Sequence, residues 1–349
     1  MTTTSDARTD PARLGQPRTD RPGAAFARLA QFGAEGFDQC WYPIALSRAV
    51  APGAIVGADF LDGRVVCFRG EDGVASVVSA YCRHLGTDLT YGEVIGDELR
   101  CGYHFWCYGR DGRCTKIPVS ERIPEDSSLF AYPTAESVGL IWAFNGSEPL
   151  YDVPQFPIGA PEDLAIRTED IGVLPFPTFM GTANSMDMQH LEVVHGVPNE
   201  VDVDTIEVRD TSIEYDMVWH EPNFGRVEQH IKDFGTNVVT VTGDLGGVKV
   251  GMFFAGRPVP GDTPGGFNHG YGVVSVPTAE LQRVEPEVVE GQLEMAWTYS
   301  RGLIADDERV LKGIRFRVDR LVPADRALSR YFRYVDGFPK AHPGAARIR

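Results

Sequence analysis

The sequence has little positive charge and no long apolar run. Its 349 residues carry 33 Lys and Arg against 49 Asp and Glu, a formal net charge of −16. This balance argues against a nucleic-acid partner, which needs a basic face to bind phosphates, and against an anionic membrane surface. No stretch of 18 apolar residues occurs, so no transmembrane helix is predicted. The start of the chain lacks the apolar segment of a signal peptide, and we expect a cytoplasmic protein.

Cysteine and histidine are also scarce, at six and eight residues. So few cysteines in a chain of this length fit a reducing compartment better than a disulfide framework. A chain this long can bury a full core without a metal, so any metal site is expected to be functional. The sequence has neither a G-x-G-x-x-G motif for a flavin or nicotinamide nor a four-cysteine plant-type ferredoxin spacing. If the chain takes part in a redox reaction, its reducing electrons would therefore have to come from another protein.

Two domains are predicted after a lead-in over residues 1–38. Short β-branched and aromatic runs separated by Gly, Asp and Pro turns predict a small antiparallel β domain over residues 39–147. The second domain, residues 148–349, mixes strands with helical periodicity in "ADDERVLKGIRFRVDRLV" and "DRALSRYFRYV". "GTANSMDMQHLEVVHG" is interpreted as a helix ending at Gly196, and "GQLEMAWTYSRGL" as a last strand.

Four of the scarce residues form two tight pairs, Cys82-Arg-His84 and, after sixteen residues, Cys101-Gly-Tyr-His104. Cysteine and histidine ligands suit zinc or an iron–sulfur cluster. In a [2Fe–2S] cluster of mixed ligation, one iron takes two thiolates and the other takes two imidazoles. Matched loops with one Cys and one His each can deliver that set. A structural zinc site is the alternative, although zinc fingers rarely pair Cys with His in both half-sites at this spacing.

A second group of metal-binding side chains lies in "NSMDMQHLEVVHG". His190 and His195 are five residues apart, about 140° around an ideal helix, so they can share a metal only if the helix distorts or ends there. Gly196 makes such an ending plausible. Two His with one carboxylate form the facial triad of non-haem Fe(II) oxygenases. On their own, the two His would be ordinary helix residues.

Both motifs resemble those of the Rieske non-haem iron oxygenases. Cys82, His84, Cys101 and His104, followed by "FWCYGRDGRCTKIP", resemble the ligand loops and the strand after them. The resemblance implies an α+β fold. A small antiparallel-β Rieske [2Fe–2S] domain would precede a mixed α+β catalytic domain with an antiparallel sheet and C-terminal helices, similar to a helix-grip fold.

The family motif Asp-x-x-His-x-x-x-x-His is complete at Asp187, His190 and His195. The resemblance implies that the two His hold a mononuclear Fe²⁺ with a later Asp on a C-terminal helix. In "LIADDERVLKG" that position matches Asp307, and the neighbours Asp306 and Glu308 are the alternatives.

The resemblance gives Asp187 a different role. In the family, this Asp bridges a histidine of the cluster in one subunit to an iron-ligating histidine in the next, and electrons cross there. A carboxylate can do so by fixing imidazole tautomers through hydrogen bonds. We therefore expect a ring-shaped homo-oligomer, a trimer.

The cluster is expected to have a low potential. Respiratory Rieske proteins carry one additional cysteine in each ligand loop, and these form a disulfide; Thr87 and Gly102–Tyr103 occupy that region here. Cys107 and Cys114 are interpreted as packing thiols. Because hydrogen bonding and exposure tune cluster potentials, fewer contacts to the sulfurs predict the low end of the range.

The resemblance implies the terminal oxygenase component of a multi-protein system. It would use O₂ and electrons from a ferredoxin or flavin reductase, and ultimately from NAD(P)H, to hydroxylate or demethylate an aromatic or alicyclic small molecule. Residues 83–116 carry five basic and five acidic groups, a locally neutral face that could receive an acidic ferredoxin. The competing hypotheses are a Rieske electron carrier without oxygenase activity, a structural zinc protein, and the same iron chemistry giving desaturation or cyclisation.

Overall fold

The computed structural model of the protein describes Leu29 and residues 31–221, 225–245, 247–317 and 320–349. Most of the predicted lead-in therefore lies outside the described residues. Its last two residues, Phe37–Asp38, form strand β1, which pairs antiparallel with Lys340–Ala341 near the other end of the chain. The segment before the first domain is thus bound to the segment that follows the last long helix.

Three small antiparallel sheets make up the first domain. Their strands are β2 (Trp41–Leu46), β3 (Ile55–Phe60), β4 (Gly63–Arg69), β5 (Ala75–Ser79), β6 (Glu93–Ile95), β7 (Glu98–Arg100), β8 (Cys107–Tyr108), β9 (Cys114–Lys116), β10 (Ala131–Tyr132), β11 (Thr134–Ser137) and β12 (Leu140–Phe144). The strand orders are β10-β5-β4-β3, β11-β12-β2 and β6-β7-β8-β9. The runs "GRVVCFR" and "LIWAF" have four and five buried residues, and β4 and β12 lie in the interior of their sheets.

One large antiparallel sheet forms the second domain. Its strands are β13 (Leu164–Leu174), β14 (Asn199–Glu200), β15 (Glu207–Val208), β16 (Ser212–Glu221), β17 (Gly225–Phe234), β18 (Val238–Leu245), β19 (Val248–Val259) and β20 (Phe267–Pro277). The order is β13-β20-β19-β18-β17-β16-β14, with β15 beside β16. Buried and more exposed residues alternate along β17, as expected for a sheet with one face against the core.

Helices lie mainly on one face of this sheet, and the last short helix packs instead against β4 of the first domain. They are α1 (Thr178–Ala183), α2 (Met188–Val193), α3 (Ala279–Gln282), α4 (Pro286–Leu311), α5 (Arg326–Gly337) and α6 (Ala345–Ile348), and Lys340–Ala341 is β21. The predicted fold class is confirmed: a small antiparallel β domain is followed by an α+β domain with C-terminal helices. Within the described residues, no helix is both long and apolar enough to cross a membrane.

The strand predicted for "GQLEMAWTYSRGL" is wrong, because this segment is the middle of α4. Its buried residues include Val289, Leu293, Ala296 and Ser300, which recur every three or four positions. That is the period of a helix with one buried face. The helix ends at Leu311, so residues 312–317 and 320–322 of the first predicted helical segment are not helical, whereas the second segment forms α5 as predicted.

Arg257 on β19 joins the two domains. Its side chain is only 3% exposed, and it donates to the backbone carbonyls of Asp59 (2.8 Å) and Pro43 (2.9 Å) in the first domain. Its remaining nitrogen lies 3.0 Å from Nδ1 of His269, whose Nε2 lies 2.8 Å from Asp170. Since a guanidinium only donates, His269 accepts at Nδ1 and donates to Asp170. The contact fixes the orientation of the two domains.

Candidate metal centres and their pocket

The two predicted cluster-ligand loops share one backbone turn. In each, the cysteine N–H donates to the carbonyl five residues on, Thr87 in the first loop and Trp106 in the second, both at 2.9 Å. The cysteine carbonyl accepts from the residue four positions on, Gly86 or Phe105. Both of these residues have positive φ, 79° and 59°. Glycine adopts this conformation freely, whereas Phe is rare there. The two loops therefore have the same backbone conformation although their sequences differ.

The loops place thiols inside and imidazoles outside. Cys82 and Cys101 are 4% and 1% exposed, whereas His84 and His104 are exposed and their Nδ1 atoms lie 3.2 Å apart. Two buried sulfurs behind two adjacent, outward imidazoles are the donor set of a mixed-ligand [2Fe–2S] cluster. The residues present thus fit that cluster.

Tyr108 is a contact of this site that sequence reasoning missed. Its hydroxyl accepts the N–H of Arg83 (3.1 Å) and lies 3.1 Å from Sγ of Cys82. Burial, and then the neighbouring Cys82 thiol, raise the pKa of Tyr108, so the phenol keeps its proton and donates to the sulfur. In addition, the ring of Trp106 stacks on His84 with centroids 4.8 Å apart. No periodic pattern marks Tyr108, because β8 has only two residues and both are buried.

The predicted helix over "GTANSMDMQHLEVVHG" is broken into three pieces. α1 passes into a 3₁₀ turn at Asn184–Met186, and α2 then begins after Asp187. The Asp187 carboxylate caps α2 by accepting the N–H of His190 at 3.0 Å. α2 ends at Val193, and Gly196 (φ 66°) turns the chain. Because the helix ends before His195, the chain can turn so that His190 and His195 lie on the same side.

His190, His195 and Asp307 converge at one point. The Nε2 atoms of the two histidines are 3.0 Å apart, and both lie close to Oδ1 of Asp307, at 2.8 and 3.0 Å. Three ligands at right angles, each about 2.1 Å from a metal, would be roughly 3.0 Å apart. The spacing thus fits one face of an octahedron, the arrangement of a two-His, one-carboxylate iron site.

The structure distinguishes Asp307 from its neighbour. Asp306 approaches only the far side of His195, with 3.9 Å between its Oδ2 and Nδ1 of the imidazole. Asp307 is seven residues after the buried Ser300, so it lies on the same face of α4. Burial acts to raise the pKa of Asp307, but hydrogen bonds with His190 and His195 outweigh it and the pKa is lowered. The carboxylate is therefore charged and available as a ligand.

A large pocket opens beside the three converging residues, and His195 and Asp307 form part of its wall. Its cavity volume is about 150 Å³, about that of an apolar cavity that can bind benzene. Most of the lining is apolar, including Leu174, Met217, Ile231, Val239, Met252 and Phe254. The lining comes from strands between residues 200 and 280 and from α1, β13 and α4.

A buried polar pair supports the turn behind the motif. Asp233 is fully buried, and its carboxyl oxygens lie 3.0 and 3.2 Å from Oγ of Ser185. That hydroxyl also donates to the Thr182 carbonyl at 2.8 Å. Since a hydroxyl has one proton to give, Asp233 must donate to it in turn. Burial raises the pKa of Asp233 well above its ordinary value, which agrees with a neutral acid. Nothing in the sequence pattern marked this residue.

Comparison with known proteins adds two findings. The Rieske [2Fe-2S] domain family matches residues 40–133. The fold is similar to that of dicamba monooxygenase bound to dicamba, with a TM-score of 0.64 and 20% identity over 86% of this chain and 97% of that one. Residues 40–133 thus form a Rieske [2Fe-2S] domain, and the chain has the fold of this monooxygenase. The Rieske domain carries Cys82, His84, Cys101 and His104, and the converging His190, His195 and Asp307 lie in the domain that follows it.

The curated relatives align with only part of the chain. The cholesterol 7-desaturase nvd of Bombyx mori is 30% identical over 166 residues, 44% of this chain and 35% of the relative. The probable 3-ketosteroid-9-alpha-monooxygenase oxygenase component of Rhodococcus rhodochrous is 33% identical over 171 residues, 47% of this chain and 43% of the relative. The alignments thus span less than half the length of these relatives.

Proposed function

We propose that this Rieske protein is the terminal oxygenase component of a multi-protein system. The observation that carries the proposal is the convergence of His190, His195 and Asp307 on one point of the pocket wall. An electron carrier would need the Rieske loops alone. When bound, the cluster passes single electrons and the Fe²⁺ activates O₂, which protein side chains cannot do alone.

The two sets of residues have separate tasks in this proposal. His84 and His104, at the exposed edge of the Rieske domain, offer a point of electron entry. The donor is a ferredoxin or flavin reductase that draws on NAD(P)H. The apolar pocket binds an aromatic or alicyclic substrate, excludes water and holds it beside His195 and Asp307. The expected reaction is hydroxylation or oxidative demethylation.

Asp187 is proposed to link one subunit to the next in a homotrimer. Its Oδ1 accepts the N–H of His190 while its side chain is part-exposed, so the carboxylate touches a proposed iron ligand and can still be reached from outside. Such a carboxylate can orient imidazoles on both sides of an interface.

Sedimentation of the loaded protein measures whether it is a trimer. An Asp187→Asn substitution is expected to slow electron transfer between the two sites without loss of the cluster or of the mononuclear iron.

The test of the proposed function is oxygen uptake with a surrogate reductase and a panel of ring compounds. Product should appear with the wild-type chain and vanish in His190→Ala, whereas the exposed variant Glu192→Ala serves as a matched control on the same helix. Uptake and product that persist in His190→Ala would contradict the proposed site.

Desaturation is the second candidate reaction. The similarity to a cholesterol 7-desaturase is the observation that favours it. Mass spectrometry of the product separates the two outcomes, because hydroxylation adds an oxygen atom whereas desaturation removes two hydrogens.

A further inference from the structure

One side chain of the pocket wall presents an amide whose orientation the protein fixes. Gln229 on β17 lines the pocket and is 7% exposed. Its Oε1 accepts the indole N–H of Trp219 at 3.1 Å, in a buried contact between neighbouring strands. Because an indole nitrogen can only donate, the amide oxygen is the end that faces Trp219. The amide nitrogen must therefore be the other end.

This nitrogen can be reached from the pocket. Among the described residues, none accepts a hydrogen bond from Nε2 of Gln229. Nor is Nε2 one of the fully covered polar atoms that lack a partner in this part of the chain, a set that includes the amide oxygen of Asn268. The small exposed area of Gln229 therefore includes Nε2, and its two N–H groups can donate to a ligand.

Packing holds the Gln229 side chain in place. It lies over Gly243, its partner on β18, where a Cβ would come within 2.9 Å of Cγ of Gln229. The glycine thus leaves room for the stem of the side chain, while Trp219 holds the amide oxygen. A donor that is already fixed loses little conformational freedom when a ligand binds.

Other polar groups of the lining are engaged with the protein. The side chains of Tyr215, Tyr271 and Asn237 line the same pocket, and each donates to a backbone carbonyl. Most of the remaining lining is apolar. The amide of Gln229 therefore differs from these three groups, because no described residue takes its N–H groups.

We propose that the pocket binds a mostly apolar compound that carries a carbonyl group, and that Nε2 of Gln229 donates to the carbonyl oxygen. This inference deepens the proposed function and rests on it, since it takes the pocket to be the substrate site. A carbonyl only accepts, which matches a group that only donates. A compound of the same shape without an acceptor would cover the N–H groups and leave them unpaired. Gln229 is thus a specificity-determining residue.

Equilibrium dialysis of the metal-loaded protein without oxygen tests the proposal with acetophenone and α-methylstyrene, which differ only in C=O against C=CH₂. Gln229→Met keeps an unbranched side chain and removes the donor. The preference for the ketone over the alkene should fall about tenfold. The alkene should bind at least as tightly as to the wild type, which also shows that the variant folds. Glu228→Met, at an exposed position on the opposite face of the strand, is the matched control and should keep the preference.

A second variant keeps the contact with Trp219. Gln229→Glu retains an oxygen that accepts from the indole and replaces the amide nitrogen by oxygen. At a pH where its carboxyl is ionised, it should lose the preference for the ketone as Gln229→Met does.

Infrared difference spectra of acetophenone labelled with carbon-13 at the carbonyl detect the contact itself. A donated hydrogen bond weakens the C=O bond, so the stretch should lie at lower wavenumber in the wild type and Glu228→Met than in Gln229→Met. The same stretch in all three, a preference that persists in both Gln229 variants, or failure of both probes to bind would overturn the inference. Product that persists in His190→Ala would instead contradict the proposed function, whatever the dialysis shows.

Discussion

The two candidate metal sites differ in how far apart in sequence their residues lie. The cluster loops fall within 23 residues, from Cys82 to His104, and share one turn geometry. The mononuclear site joins a broken helix to Asp307, 117 residues beyond His190. The cluster site is local, because short turns visible in the sequence bring its residues together. The mononuclear site is remote, because its residues meet only when the helices pack on the sheet. Substitutions can separate the two.

The largest effect is expected from removing a residue of the remote site. Asp307→Ala should lower product formation at least about 100-fold, because the iron loses its carboxylate ligand. The visible absorption of the Rieske cluster should be unchanged, since its ligands lie in the other domain. Asp306→Ala is the control and should retain most activity, because Asp306 lies outside the converging set. Equal losses in both variants would contradict the assignment of Asp307.

The contact that joins the two domains is expected to matter nearly as much. Arg257→Met removes the hydrogen bonds that this side chain donates to the backbone carbonyls of Asp59 and Pro43 in the first domain. We expect the free energy of unfolding to fall by about 3 kcal/mol, measured by urea denaturation. Arg326→Met, at an exposed arginine on α5, should change it by less than about 0.5 kcal/mol. A small effect at Arg257 would mean that the remaining contacts between the domains, such as those from Asn237 to Trp41 and from Tyr271 to Ile44, are sufficient to hold them together.

A smaller effect is expected within the Rieske domain. Tyr108→Phe removes the hydrogen bond to Sγ of Cys82. That bond stabilises the reduced cluster more than the oxidised one, because the reduced cluster is more negative. Loss of a bond of about 1.4 kcal/mol corresponds to roughly 60 mV for one electron, so the reduction potential should fall by about that amount. Redox titration by visible absorbance measures it. An unchanged potential would show that the hydroxyl does not donate to the sulfur in the loaded cluster.

The smallest effect concerns the buried acid behind the motif. Because the folded-state pKa of Asp233 is raised by burial, the native chain keeps a proton that the unfolded chain releases above its ordinary pKa. Its stabilising contribution is therefore present at acid pH and is lost as the pH rises toward the folded-state value. Asp233→Asn does not titrate and should gain stability relative to wild type between about pH 5 and pH 8.

Urea unfolding across that range measures the difference, with the exposed Asp262→Asn as a control. A stability of Asp233→Asn relative to wild type that stays constant or falls as the pH rises would show that Asp233 is charged in the native chain.

Much of the fold and the family resemblance could be predicted from the sequence. The alternating runs of the first domain and the paired ligand loops are local patterns, and both were recognised. The middle of α4 was mistaken for a strand because "EMAWTYS" is rich in aromatic and small residues, whereas the wider spacing of Val289, Leu293, Ala296 and Ser300 is helical. Extending that phase to Asp307 would have favoured it over Asp306 without reference to any family.

Other features could not be predicted because they depend on tertiary packing. Tyr108 and Asp233 occur in ordinary strand patterns, and their partners lie in elements far away in sequence. Their roles follow from burial and hydrogen bonding, which no short window of sequence contains.

The iron and acid-labile sulfide content of protein purified without oxygen decides whether the chain holds both metal centres. We predict about three irons and two sulfides per chain in the wild type, and about two irons with two sulfides in Asp307→Ala. Two irons in the wild type that do not increase when Fe²⁺ is added would contradict the second site and favour an electron carrier. Zinc without sulfide would contradict both sites.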